Sequence, residues 1–328
     1  MNLHDDPKLF NQAIRATSQF KKLPEIYIEK DYWVTLVLHT IFTNDIGNET
    51  VFKGGTALSK CHNLIERFSE DIDLVILRKG DESGNQLSNK IKKVSRVVES
   101  VLPEVQVDGV TNKKGNIRKT AHSYAKTFKG DFGQASDMIY LEASCLGNYE
   151  PYSEMAVHSY IYEMMINNDQ HELAKKYNLL PFNVLVLGTT RTLCEKIMSL
   201  VRFSYAEKPI DELKSKIRHC YDIHQLLKDK SLNTFITSKE FDTMIQKVGN
   251  DDVEGYVNNN EWLFNHPVKS LIFSDLDNTW KELISVYNGP FKNLVFGAFP
   301  DEPEIFKTLR QVKKRLESVS WDIKTDKK

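Results

Sequence analysis

The segment from Val51 to Leu77, VFKGGTALSKCHNLIERFSEDIDLVIL, constrains this chain more than any other, because it joins a Gly-Gly-Thr turn to two aspartates one residue apart. Val51 and Phe52 centre a short strand over Glu49 to Lys53 that stops at two glycines, the punctuation of a tight turn. Ala57, Leu58, Cys61, Leu64, Ile65 and Phe68 then recur at three- and four-residue steps, which predicts a helix. Asp71 to Leu77 is aliphatic and β-branched and predicts a second strand. Alternate residues of a strand share a face, so Asp71 and Asp73 point together while Ile72 and Leu74 point away.

Two neighbouring carboxylates repel, and burying them costs several kcal/mol unless a positive charge lies between them. Hard oxygen ligands without nearby His or Cys suit Mg²⁺ or Mn²⁺ better than Zn²⁺, and Mg²⁺ commonly takes one or two carboxylates plus substrate phosphate oxygens. Gly54 and Gly55 lack a Cβ, so a phosphate can approach the backbone; their N–H groups, the Thr56 hydroxyl and a helix N-terminus all favour an anion. Asp-x-Asp alone is common on strand edges and Gly-Gly alone marks ordinary turns. Their occurrence in strand, turn, helix, strand order is far more specific.

The phrases KGGTALSK and RFSEDIDL together resemble the AbiEii/AbiGii abortive-infection toxins, within the DNA polymerase β-like nucleotidyltransferase superfamily. Fourteen residues separate Thr56 from Asp71, slightly more than the superfamily's usual spacing, and IEKDYWVTLVL (Ile28 to Leu38) resembles the family's N-terminal helix. The resemblance implies an α+β fold: a mixed sheet with flanking helices, plus a helical C-terminal domain completing the cleft. It implies an Mg²⁺- or Mn²⁺-dependent transfer of NMP from an NTP to a hydroxyl acceptor, tRNA first and a protein hydroxyl second, by the toxin of a toxin–antitoxin pair. An RNA acceptor and a cognate antitoxin are then the expected macromolecular partners. Lys53, Gly54, Gly55, Thr56, Lys60 and Ser69 become the expected nucleotide-binding residues, and Asp71 and Asp73 the catalytic metal ligands.

Other candidates lie downstream. Glu142, on the expected strand Met138 to Leu146, shares a face with Tyr140 and Ser144 and is the best-placed third metal-site acid, with an ordinary exposed glutamate as the alternative. Lys196 lies beside the apolar stripe of Leu193, Ile197, Leu200 and Val201, where a lysine either snorkels over a core or turns its charge into a cleft. TLCEK resembles the family's Glu-Lys helix, which favours an active-site lysine. Asp222 follows Arg218 by one turn in RHCYDIHQL, an ordinary i,i+4 pair by itself; the resemblance makes it a catalytic aspartate orienting Lys196 or the nucleotide.

At 328 residues the chain has room for two domains, with the boundary expected after Gly188: 1–188 catalytic and 189–328 helical. Hydrophobic residues at 41% and charged residues at 27% match a soluble globular protein, apolar runs are too short to span a bilayer, and NLHDDPK is no secretory leader, so the cytoplasm is expected. Cys61, Cys145, Cys194 and Cys220 show no paired spacing, which predicts free buried thiols. A net charge of −1 excludes a globally basic nucleic-acid binder but leaves room for a local patch. Lys113, Lys114, Arg118, Lys119, Lys126 and Lys129, interleaved with Tyr124 and Phe128, fit either an RNA-gripping run or a solvated hairpin.

Further elements expected are one helical stretch over Lys8 to Phe42, strands over Val105 to Val110, Val157 to Met164 and Phe182 to Leu187, and helices from Thr190 onward. SLIFSDLDNT, with Asp275 and Asp277, looks like the first motif of haloacid-dehalogenase-type phosphatases, but only 49 residues follow it; a helix N-terminus capped by the aspartates is the expected reading. The competing function is a non-catalytic nucleotide- or partner-binding module of the same fold.

Overall fold

The structure is a computed structural model that describes residues 1–113, 115–132, 135–256 and 259–323. The chain forms two compact units. One holds Met1–Asn63, Phe68–Cys145 and Tyr152–Val186; the other holds Leu64–Arg67, Leu146–Pro151 and Leu187–Lys328. Each is described separately.

The first unit carries helices α1 (Pro7–Lys21), α2 (Glu25–Phe42), α3 (Gly54–Lys60), α4 (Gly84–Glu99), α5 (Tyr160–Asn167) and α6 (His171–Lys176). Its strands are β1 (Thr50–Lys53), β2 (Ile72–Ile76), β3 (Glu104–Val105), β4 (Ile117–His122), β5 (Ile139–Ser144), β6 (Tyr152–Val157) and β7 (Phe182–Leu187). They form one mixed sheet in the order β3-β4-β5-β2-β1-β7-β6. β1 runs antiparallel to β2 and parallel to β7; β2 runs parallel to β5, and β5 antiparallel to β4. Along β5, Ile139, Leu141 and Ala143 are buried while Tyr140, Glu142 and Ser144 are half-buried, the alternation of a sheet with one face against the core. α2 and α4 pack on β5. The fold is thus α+β, as the resemblance implied.

Several boundaries depart from the sequence expectation. The helical stretch from Lys8 to Phe42 is two helices, because Lys22 sits in the left-handed region at φ 55° and Pro24 follows. The helix expected to reach Phe68 ends at Lys60; Leu64, Ile65 and Phe68 keep the helical spacing but lie in irregular chain after Asn63, at φ 53°. Val157 to Met164 is not a strand: the strand ends at Val157, and Ser159 caps α5 by accepting from Tyr162 N at 3.1 Å. The strand expected over Val105 to Val110 is reduced to Glu104–Val105.

α2 is the hub of this unit. Three consecutive charged residues on it, Glu29, Lys30 and Asp31, are buried, and unpaired charges in such places would cost several kcal/mol each. Each has partners. Glu29 accepts from the backbone N–H groups of Thr127 (2.7 Å) and Phe128 (3.1 Å). Lys30 donates to the Ser136 carbonyl and lies 3.8 Å from Glu70, which accepts from Ser136 N. Asp31 accepts from Lys60 Nζ (2.5 Å) and from Tyr160 N (2.8 Å). One helix therefore ties down the β4–β5 loop, the approach to β2, α3 and the start of α5.

The second unit is helical: α7 (Thr189–Phe203), α8 (Pro209–Ser215), α9 (Arg218–Lys228), α10 (Lys230–Ile236), α11 (Lys239–Gly255), α12 (Leu271–Ser274), α13 (Leu276–Val286) and α14 (Glu302–Leu316). Tyr221, Tyr287 and Phe291 are fully buried and in ring contact in its core. Asp211 to Lys228, part of the stretch expected to be helical from Thr190 onward, is divided between α8 and α9. All four cysteines are free and buried, and among the described residues no helix is long and apolar enough to cross a membrane.

Removing one member of a buried ion pair strands the other, at about 3–5 kcal/mol. Asp31→Asn and Lys60→Met are each expected to lower stability toward denaturant by that order, and the double variant by clearly less than the sum. Additive losses in this double-mutant cycle would show that Lys60 does not depend on Asp31.

Candidate active site

β1 ends at Lys53, and the chain turns at Gly54 into α3. Gly54 has φ +81°, and a Cβ there would run into Oδ2 of Asp73, so the position demands glycine on both counts. This close approach brings the Gly-Gly-Thr turn and the aspartate strand together. Thr56 Oγ1, buried in the first turn of α3, donates to Ser69 Oγ at 3.1 Å, joining the turn to the segment that leads into β2.

The sheet register lines up four charged residues on one face. Lys53 of β1 is the cross-strand partner of Asp73 on β2. Asp73 is the partner of Glu142 on β5, and Glu142 of Lys119 on β4. Directly opposed residues share a face, so the row reads lysine, aspartate, glutamate, lysine across four adjacent strands. Lys119 Nζ stands 3.8 Å from Glu142 Oε2. Asp71 lies one residue before β2 and acts electrostatically on Asp73.

Burial pushes the Asp73 carboxyl up to about 7, with Glu142 and then Asp71 adding to the rise against the weaker pull of Lys53 and Lys119. A carboxyl raised by burial and by neighbouring carboxylates is one whose ionised form a bound cation favours. Among the described residues no group of three His, Cys, Asp or Glu side chains is arranged to hold a metal. The acids fit Mg²⁺ or Mn²⁺ as a carboxylate set that needs substrate oxygens to complete it, and offer no soft donor that would favour Zn²⁺.

Lys60 corrects the sequence reading. Its ammonium donates to Asp31 Oδ1 (2.5 Å), Thr35 Oγ1 (2.8 Å) and the His158 carbonyl (3.3 Å), which uses all three of its hydrogens. It anchors α3 to α2 and has no donor left for a triphosphate. Its partner stands 29 residues upstream, beyond the reach of any local pattern.

In the second unit, Lys196 on α7 and Asp222 on α9 meet: Lys196 Nζ lies 2.7 Å from Asp222 Oδ2, and both are buried. Asp222 is no surface partner of a helix neighbour. Arg67, which the sequence reading passed over, grips it with two hydrogen bonds, Nε to Oδ1 at 2.7 Å and Nη2 to Oδ2 at 2.8 Å. Burial alone would raise the Asp222 carboxyl, but Arg67 and Lys196 outweigh it and hold the group well below the usual carboxylate range. Burial pulls the Lys196 amine down, and Asp222 opposes that pull. The signal for Arg67 was in view, since it opens RFSEDIDL. A fully buried bidentate Arg–Asp pair also forms the kind of rigid contact that a lysine in its place would not.

The basic run divides. Arg118 donates to Ser95 Oγ at 2.6 Å and, with Lys113, pairs with Glu104; Lys126 pairs with Asp137; Tyr124 is buried against Trp33. Lys114 lies outside the described residues. His122 is buried on Thr120 and the Leu102 carbonyl, a structural histidine.

The phosphatase reading of Asp275 and Asp277 is overturned by secondary structure, since their segment is helical where that chemistry needs a strand end. Both are exposed; Asp275 accepts from the Asn278 side chain and Asp277 from Arg310 at 3.2 Å. Asp275 sits at the N-cap of α13 but makes no side-chain bond to the backbone there.

The folded-state value of Asp73 lies above its ordinary 3.8. The native protein therefore keeps a proton that the unfolded chain releases, and the metal-free protein loses stability as pH rises from about 4 to about 7. Added Mg²⁺ at pH 7 is expected to displace that proton and raise the melting temperature. In Asp73→Asn, which cannot ionise, both the pH-dependent loss and the proton release should vanish. Calorimetric melts and proton-release titration check this, and Mg²⁺ that leaves the native melt unmoved would contradict it.

No curated protein matches the chain. A family model described as nucleotidyl transferase AbiEii toxin, Type IV TA system, matches residues 36–297, a span running from α2 through the Gly54 turn and the acid row to α9 and beyond. Because that match takes in most of its length, the chain belongs to the AbiEii nucleotidyl transferase toxin family of toxin–antitoxin systems.

Proposed function

We propose that this nucleotidyltransferase toxin moves a nucleoside monophosphate from an NTP onto a hydroxyl of RNA, tRNA first, in an Mg²⁺- or Mn²⁺-dependent reaction, with residues 1–188 as the catalytic part and 189–328 as the helical part. The observation that carries the reading is the acid row beside the glycine turn. Asp73 stands against Glu142 and Asp71 on one side and against the backbone of Gly54 on the other.

In this reading Asp71 and Asp73, with Glu142, hold the cation, and the N–H groups of Gly54 and Gly55 with the Thr56 hydroxyl receive the triphosphate. Lys53, at the end of β1, offsets phosphate charge, and Ser69 keeps Thr56 oriented through their hydrogen bond. The divalent cation, when bound, supplies charge neutralisation at the phosphates and acidifies the acceptor hydroxyl. The acceptor hydroxyl gives its proton to water as its oxygen bonds to the α-phosphorus, the bond from that phosphorus to the bridging oxygen of the β-phosphate breaks, and pyrophosphate leaves with those electrons.

Lys196 and Asp222 join the proposal as residues required for turnover. Asp222, fixed by Arg67, holds the Lys196 ammonium in one orientation. The proposed setting is the cytoplasm, with a cognate antitoxin.

The test is incubation of the protein with each labelled NTP, Mg²⁺ and total RNA. Label is expected in RNA with the native chain, and Asp71→Ala, Asp73→Ala and Lys196→Ala are each expected to cut the rate by more than about a hundredfold, the loss of several kcal/mol of transition-state stabilisation. NTP binding without transfer to any macromolecule would favour a non-catalytic module instead.

A further inference from the structure

We infer that Lys119 and Tyr140 form the acceptor subsite, which takes the single-stranded 3′ end of an RNA with a backbone phosphate on Lys119 and a base against the Tyr140 ring. This names the acceptor side of the site proposed above and rests on that reading.

The order of the row gives the first argument. From β1 to β4 the half-buried face presents the glycine turn with Lys53, then Asp73, then Glu142, then Lys119. A triphosphate received by the turn occupies the β1 end. The β4 end, one strand spacing of about 4.8 Å beyond Glu142, is where an attacking hydroxyl must arrive.

The chemistry of that end gives the second. Tyr140 precedes Glu142 by two residues, so it shares Glu142's face, and it is half-buried. Its cross-strand partner is Ala121, a small side chain. Lys119 Nζ stands 5.9 Å from the Tyr140 ring centroid and 3.8 Å from Glu142, too far for a hydrogen bond. A cation beside a ring is the pairing that single-stranded nucleic acid uses, phosphate on the one and base on the other.

The third argument is selective. β4 alternates, so Arg118 turns to Ser95 and Glu104 while Lys119 turns to Glu142. Of the basic run, Lys113, Arg118 and Lys126 are paired with Glu104 or Asp137, away from the row. Were Lys119 and Glu142 only a surface ion pair, their worth would be small and their loss silent.

The full chain is assayed in two ways: transfer from labelled NTP with Mg²⁺ to a short single-stranded oligoribonucleotide, and binding of that oligonucleotide without NTP by fluorescence anisotropy. For Lys119→Gln and Tyr140→Leu the acceptor KM and the oligonucleotide Kd are each expected to rise about tenfold, with the NTP KM within about twofold of native. Lys119→Arg is expected to restore binding. The slope of log binding against log salt is expected to fall by about 0.7 in Lys119→Gln. Oligonucleotide binding that depends on both residues, in a chain that transfers no label, would leave the subsite standing and refute the transfer reading. Variants that bind oligonucleotide like the native chain, a rise in the NTP KM instead, or a native chain that binds no oligonucleotide and labels only protein would each overturn the subsite.

Discussion

The repulsion among Asp73, Glu142 and Asp71 is the constraint around which the first unit is organised. A sheet register that places two carboxylates side by side is costly; burial first, and then Glu142 and Asp71, raise the Asp73 carboxyl, while the flanking lysines of the row pull less strongly the other way. Stability alone would replace such a pair by apolar residues of similar size. Gly54 sharpens the point, because a backbone at φ +81° pressed against Asp73 leaves no space for a side chain.

The rest of the first unit holds that arrangement still. Buried charges on α2 fasten the chain on both sides of the site: Asp31 through Lys60 fixes α3, and Lys30 with Glu70 fixes the residue next to Asp71 and the loop before β5. Such contacts contribute less to net stability than their number suggests, since each begins by desolvating a charge. Their value is geometric, because a site built on strand ends tolerates little displacement. The second unit repeats the device in smaller form, with Asp222 fixed by Arg67 and fixing Lys196.

Local sequence carried the parts of this molecule that are local in physics. β1, β2, β5 and β7 are short runs bounded by glycine or polar turns, and the turn and the paired aspartates were legible in the spacing, whereas Glu142 as a candidate third acid also needed the family resemblance. Errors arose where one period served two structures. Leu64, Ile65 and Phe68 continue the spacing of α3 but pack from irregular chain, and the aromatic and β-branched run before Met164 reads as strand until Ser159 is recognised as a cap. Partners distant in sequence stayed hidden. Lys60 looked like a phosphate ligand because Asp31 is not in its neighbourhood of the chain, and while the resemblance pointed Asp222 at Lys196, its second partner Arg67, 155 residues away, went unseen. The division of the basic run by strand alternation needed the register as well, which sequence does not print.

The most direct measurement of the central claim is a crystal structure of the chain with Mn²⁺ and a non-hydrolysable NTP, with the metal located by its anomalous scattering. The account predicts the metal peak on the carboxylates of Asp71 and Asp73, with the triphosphate along the backbone of Gly54, Gly55 and Thr56. A metal or triphosphate bound elsewhere, with these carboxylates bare, would contradict it.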